Sequence, residues 1–166
     1  MRLAMPITPS FWFDDQAEEA ARFYVGIFED SRIVHVSHYG EAGHEIHKRP
    51  AGSVLEVLFE LNGQPFTALN GGPLFKFNEA VSLQVMCETQ DELDFYWKRL
   101  GDGGDPRAQQ CGWLKDRYGV SWQVLPRSLI TMMGVPGSPA SERMMVALLG
   151  MKKLDIAALQ RAWDDV

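Results

Sequence analysis

Cysteine is scarce in this chain. Cys87 and Cys111 are the only two in 166 residues, 24 positions apart and without C-x-x-C spacing, which excludes a disulfide framework and a zinc knuckle. Basic runs are also missing: none exceeds the pairs Lys48-Arg49 and Lys152-Lys153, and the formal net charge is -6 with a pI near 5.2. Nucleic acid and anionic membrane surfaces are therefore not expected as partners, since both are held by basic patches. No apolar run is long enough to cross a bilayer, and the opening Met-Arg-Leu-Ala-Met-Pro lacks the apolar core of a secretion signal, so a cytoplasmic location is expected. There is no G-x-G-x-x-G, so the glycine-rich strand-turn-helix cradle for a nucleotide is absent. The nearest stretch, Gly101-Asp-Gly-Gly-Asp105, follows a helical pattern and reads as its C-cap and turn.

What is present is an ordinary globular composition, 46% hydrophobic and 23% charged, enough for one domain and a tail. Ile7 to Phe13 reads as a strand feeding a helix from about Gln16 to Phe28, with Ala20, Phe23, Tyr24 and Ile27 on one stripe and acidic residues near its start. Ser31 to Tyr39 reads as a strand and Gly40 to Gly52 as a polar loop. Val54 to Leu61 and Gln64 to Leu69 flank Asn62-Gly63, a hairpin signal, and Asn70 to Asn78 is a Gly/Pro loop.

The pattern then restarts. Val81 to Cys87 reads as a strand and Thr89 to Leu100 as a helix, with Thr89 as N-cap and Glu92 completing a capping box. A shift of 73 positions lays Ala20, Phe23, Tyr24 and Ile27 over Leu93, Tyr96, Trp97 and Leu100. The chain is read as an internal duplication, each half a strand, a helix and two or three antiparallel strands. The second half closes with Cys111 to Pro126, a hairpin turning at Asp116 to Gly119. Its last strand alternates. With Trp122 and Val124 packed on helices, Ser121, Gln123 and Leu125 face the other way, and a Gln there needs polar partners.

The fold class expected is α+β: two tandem βαβββ modules, about 1–78 and 79–126, forming a cupped, partly open mixed barrel with outer helices and a ligand cavity inside. Residues 127–166 are expected as an irregular linker, Arg127 to Pro139, and two helices, Ser141 to Leu149 and Leu154 to Trp163, capped by Ser141 and Asp155. The Met-rich helix suits packing on its own barrel or across a homodimer.

Four histidines, His35, His38, His44 and His47, crowd one segment. His35 and His38 fall on opposite faces of a strand and the others in a loop, so solvated side chains are expected. Cys111 has no histidine in its half to activate it and reads as a packing thiol, and Asp116 and Arg117 read as turn and surface residues. Trp12, Trp113 and Trp122 are each read as core or pocket wall.

The stretches Ile7 to Phe28, Phe66 to Phe75 (FTALNGGPLF), Ser82 to Leu100, Cys111 to Pro126 (CGWLKDRYGVSWQVLP) and Met151 to Leu159 resemble the PhnB-like branch of the vicinal oxygen chelate superfamily, which includes glyoxalase I, bleomycin-resistance proteins and extradiol dioxygenases. The resemblance implies paired βαβββ modules, a homodimer and a small-molecule pocket. Superfamily enzymes hold a divalent metal on the first and last strands of each module, and those positions carry over to Pro9 or Ser10, to Ser82, near Asn70 and to Gln123. None is a histidine or a carboxylate, so no metal and no other cofactor is expected. The reading is a binding protein whose ligand meets Asn70, Ser82, Gln84 and Gln123, with Ser10 alongside and Trp12, Phe66 and Trp113 as walls. The alternative is a metal-dependent lyase, isomerase or resistance-type transferase using Gln123 and unusual partners.

Overall fold

The structure is a computed structural model and describes residues 6–134 and 137–165. Chain contacts divide it into two units, Met1–Lys76 and Phe77–Val166. The first contains β1 (Ser10–Phe13), α1 (Ala17–Val25), β2 (Arg32–His38), α2 (His44–His47), β3 (Val54–Leu61) and β4 (Gln64–Asn70). They form a sheet in the order β1-β4-β3-β2, with β1 parallel to β4 and the other pairs antiparallel. Asn62 and Gly63 both take positive φ, 48° and 74°, so the β3–β4 turn has the twist that flanking strands favour.

Alternation fixes the faces. Phe11 and Phe13 of β1, Val57, Phe59 and Leu61 of β3 and Phe66 and Ala68 of β4 are buried on the face that α1 covers. Tyr24 of α1, fully buried, lies 6.3 Å from the Phe11 ring and 6.4 Å from Phe59. Ser10, Trp12, Thr67, Leu69, Glu56 and Leu58 fall on the opposite, helix-free face.

The second unit contains β5 (Leu83–Cys87), α3 (Gln90–Gly101), a turn of 3-10 helix at Pro106–Ala108, β6 (Trp113–Lys115), β7 (Ser121–Pro126), α4 (Ser128–Met132), α5 (Pro139–Leu149) and α6 (Ile156–Asp164). Its sheet runs β5-β7-β6, β5 parallel and β6 antiparallel to β7. Helix α3 begins with the expected capping box: Thr89 accepts from the Glu92 backbone and Glu92 from the Thr89 backbone. Leu93 and Leu100 of α3 are buried with Leu114, Trp122, Val124 and Cys87, the core of this unit.

The α+β class and the duplicated order hold, with differences in detail. This module has three strands where the first has four. The segment that the 73-residue shift lays over β2, residues 105–111, follows Gly103 and Gly104 and carries Pro106, poor strand formers, and includes the 3-10 turn. A Cβ on Gly104 would lie 2.0 Å from the Lys115 carbonyl oxygen, so the loop packs directly on the β6 backbone. One helical turn, α2, sits within the expected loop of residues 40–52, and α4 within the expected linker, whose Val135 and Pro136 lie outside the described residues. Helix α5 starts at Pro139 with Ser138 as its cap, because proline suits the first helical position. Ser141 is thereby moved inside the helix.

The tail packs on its own chain. Cys111 and Gly112, at φ 51° and 84°, donate their backbone N–H groups to the Met151 and Lys152 carbonyls, both at 2.8 Å. Gln90 of α3 donates to the Leu154 carbonyl at 3.2 Å and accepts from the Ile156 N–H at 2.9 Å, while Leu154 and Leu159 are fully buried. A Cβ on Gly112 would lie 2.8 Å from Leu125 Cδ2, so the Cys-Gly-Trp motif needs its glycine both for φ and for close approach.

Candidate functional site on the second sheet

The β5–β7 and β6–β7 registers pair Gln84 with Gln123 and Trp113 with Gln123, which sets all three on the face of the second sheet that α3 leaves uncovered. Gln123 is central. Its Nε2 donates to Ser82 Oγ at 2.7 Å, and its Oε1 accepts from Gln84 Nε2 at 3.4 Å. Ser82, Gln84 and Gln123 thus form one neutral hydrogen-bonded ladder, and Trp113, half-buried, flanks it on the neighbouring strand. Four of the residues named from sequence come together here.

Lys115 also lies on this face, opposite Ser121, and its ammonium pairs with Glu79. That hydrogen bond holds the Glu79 carboxyl below the usual carboxylate range. The face therefore presents neutral groups beside one matched charge pair.

The first unit divides its candidates between two faces. Ser10 and Trp12 lie on the helix-free face, and the Trp12 indole donates to the Gly72 carbonyl at 2.8 Å. Its ring occupies the place of a side chain at position 71: a Cβ there would be 2.2 Å from Trp12 Cζ2. Phe66 and Asn70 lie on the α1 side instead. Phe66 stacks between Phe11 and Phe59, at 5.8 and 5.6 Å. Asn70, 6% exposed, accepts from the Ala17 N–H at 2.8 Å and donates to the Val54 carbonyl at 3.1 Å. It caps α1, which its own N-cap Gln16 does not do. Each end of its amide makes a hydrogen bond within the first unit, which gives this side chain a structural role there.

Three polar residues have surroundings that the sequence does not give. Asp116 is 3% exposed, although a hairpin tip was expected to put it at the surface. Its Oδ1 accepts from the Tyr118 and Val120 backbone at 2.9 and 3.0 Å, and its Oδ2 from the Trp122 indole at 2.8 Å. Ser121 is 2% exposed and its hydroxyl has no hydrogen-bond partner among the described residues. Glu56, half-buried on the helix-free face of the first sheet, likewise has no hydrogen bond or ion pair to its carboxylate among the described residues, whereas Glu60 on the same face pairs with Arg32 at 2.6 Å. The alternation of β3 was the signal for Glu56.

The histidines carry no site. His35, His38 and His44 are exposed, and the His47 ring lies 4.4 Å from Tyr39 with its Nδ1 accepting from the Arg49 N–H at 3.0 Å. Among the described residues no three His, Cys, Asp or Glu side chains cluster to hold a metal. The positions that the superfamily's metal would use supply Pro9 or the Ser10 hydroxyl, the Ser82 hydroxyl and amides at Asn70 and Gln123, the latter two already hydrogen-bonded. That donor set does not fit a divalent transition ion, which takes imidazole, thiolate or carboxylate ligands. Cys87 is buried, and burial first, then the Glu92 carboxylate, push its thiol up to about 11, which disfavours the thiolate that a nucleophile needs.

Residues 5–125 match the family described as 3-demethylubiquinone-9 3-methyltransferase. A PhnB protein from Bacillus cereus is 38% identical, the match covering 73% of this chain and 99% of that one with a TM-score of 0.61. Protein PA1353 from Pseudomonas aeruginosa is 17% identical over 74% of this chain and 98% of that one, at a TM-score of 0.56. The fosfomycin resistance protein FosX from Mesorhizobium loti is 19% identical over 75% and 91%, at 0.50. The last two show likeness of fold alone. No curated protein matches the chain.

Proposed function

We propose, for a chain that belongs to the PhnB-like 3-demethylubiquinone-9 3-methyltransferase family of the vicinal oxygen chelate superfamily, that it binds a small molecule on the helix-free face of its second sheet. The observation that carries this reading is the Ser82–Gln123–Gln84 ladder beside Trp113. A face that pairs a few convergent polar groups with an aromatic wall has the make-up of a ligand site. Methyl transfer is not part of the proposal, since no glycine-rich strand-to-helix turn is present for a nucleotide-sized donor. Metal-assisted chemistry is also left aside, because the donor set does not fit the ion.

The protein is further proposed to work in the cytoplasm as a homodimer. Two free cysteines suit a reducing compartment, and the apolar Val146 and Leu149 of α5, 73% and 57% exposed, suit burial by a second copy. Light scattering on purified protein reads the assembly state directly.

A thermal-shift screen of neutral, anionic and cationic fragments against the wild type and Gln123→Leu tests the binding reading. Fragments that stabilise the wild type are expected to lose most of that shift in the variant, whose own melting temperature stays close to wild type. Equal shifts in both proteins would place the site elsewhere.

A further inference from the structure

Resting on that placement of the site, we infer that its ligand is a neutral, planar molecule whose carbonyl-type oxygen accepts hydrogen bonds from Ser121 and Ser82 while its ring lies along Trp113. The inventory of uncommitted polar hydrogens leads to this class. Ser82 Oγ accepts from Gln123, which leaves its own O–H free to donate. Gln123 uses one N–H on Ser82 and retains the second, and the Trp113 indole N–H has no partner among the described residues. Ser121 is the decisive group. It is 2% exposed, its hydroxyl has no hydrogen-bond partner among the described residues, and it stands two residues before Gln123 on the same face of β7.

The parallel register that pairs Leu83 with Trp122 brings Ser82, one residue earlier, alongside Ser121. Continued by one residue, that register sets both serines at the same end of the ladder, Ser121 buried and, among the described residues, without an acceptor. An orphaned buried hydroxyl is unfavourable by itself and calls for a partner outside the protein. Every free group in this inventory is neutral, Gln84 adding an amide oxygen that is free to accept, and among the described residues the cation on the face, Lys115, is matched by Glu79. An anion would find no unmatched cation here and an ammonium no free carboxylate, whereas a carbonyl oxygen takes two donors at once.

The test uses four fragments of one shape: benzamide, benzoate, benzylammonium and toluene, titrated into the intact chain at millimolar concentration. Binding is followed by the Trp113 indole and Gln123 side-chain amide signals in nitrogen-15 NMR spectra. Benzamide is expected to move both signals and to bind more tightly than the other three. Ser121→Ala, which removes an unsatisfied group and so leaves the melting temperature unchanged or raised, is expected to weaken benzamide about fivefold. Movement of these signals by all four fragments alike, or equal benzamide affinity in Ser121→Ala, would overturn the ligand class while leaving the site. If none of the four moved Trp113 or Gln123, the site itself would be wrong.

Discussion

The Asp116 carboxylate accepts the Trp122 indole N–H through Oδ2 at 2.8 Å while its Oδ1 takes the backbone N–H groups of Tyr118 and Val120. One buried side chain therefore closes the β6–β7 turn and fixes the rotamer of the largest core residue of β7. The opposite face of that strand carries Gln123, so the turn also sets the register that holds the ladder together. Asp116→Ala removes an acceptor shared by three donors and should cost about 3 kcal/mol, read as a lower midpoint in urea. Asp116→Asn keeps an acceptor oxygen and should fall between the two. A loss below about 0.5 kcal/mol for the alanine variant would mean that the carboxylate is not structural.

Gly71→Ala should destabilise the first unit by about 2 kcal/mol, because the new methyl group lands on the Trp12 ring with no positive φ involved. Rotation of Trp12 would also break its hydrogen bond to Gly72, so a change in tryptophan fluorescence should accompany the loss. Gly40→Ala is the control, since no atom lies within 4 Å of its added methyl group.

Asn70→Ala should cost about 2 kcal/mol by uncapping α1 and releasing the Val54 carbonyl. Hydrogen exchange at Ala17 should accelerate with it. Binding at the second sheet should not change, which separates this asparagine from Gln123 although both were drawn from the same sequence reading.

Cys87 predicts a pH signature. Its thiol is raised in the fold from an ordinary 9.0 to about 11, so the protonated form is the one the fold favours. The contribution is fully present below about pH 9 and is lost as pH rises through the folded value. Between those limits the wild type should lose stability more steeply than Cys87→Val, as read from melting temperatures. In native protein at pH 8, a thiol reagent should leave Cys87 unmodified until denaturant is added.

Local chemistry made much of this fold legible before any coordinates. Asn62-Gly63 specified its hairpin, Thr89 and Glu92 specified the start of α3, and the alternation around Gln123 assigned the correct face to Trp122 and Val124. Where the pattern is ambiguous the face could not be read. In Phe-Thr-Ala-Leu-Asn, residues 66–70, apolar side chains occur at both parities, and only the pairing with β1 and β3 turns Phe66 and Asn70 toward α1. Asp116 looked like a turn residue because sequence shows its position at the tip but not the three donors converging on it. Ser121 was assigned to the face of Gln123, but its lack of a partner gave no signal, since an unpartnered hydroxyl is a fact about its surroundings.

The most direct test of the central claim is a crystal structure of the protein soaked with the tightest-binding neutral fragment. Density for that fragment within hydrogen-bonding distance of Ser82, Ser121 or Gln123 and against the Trp113 ring is the predicted result. A fragment seated only elsewhere, with the Ser82–Gln123–Gln84 ladder undisturbed and uncontacted, would contradict it.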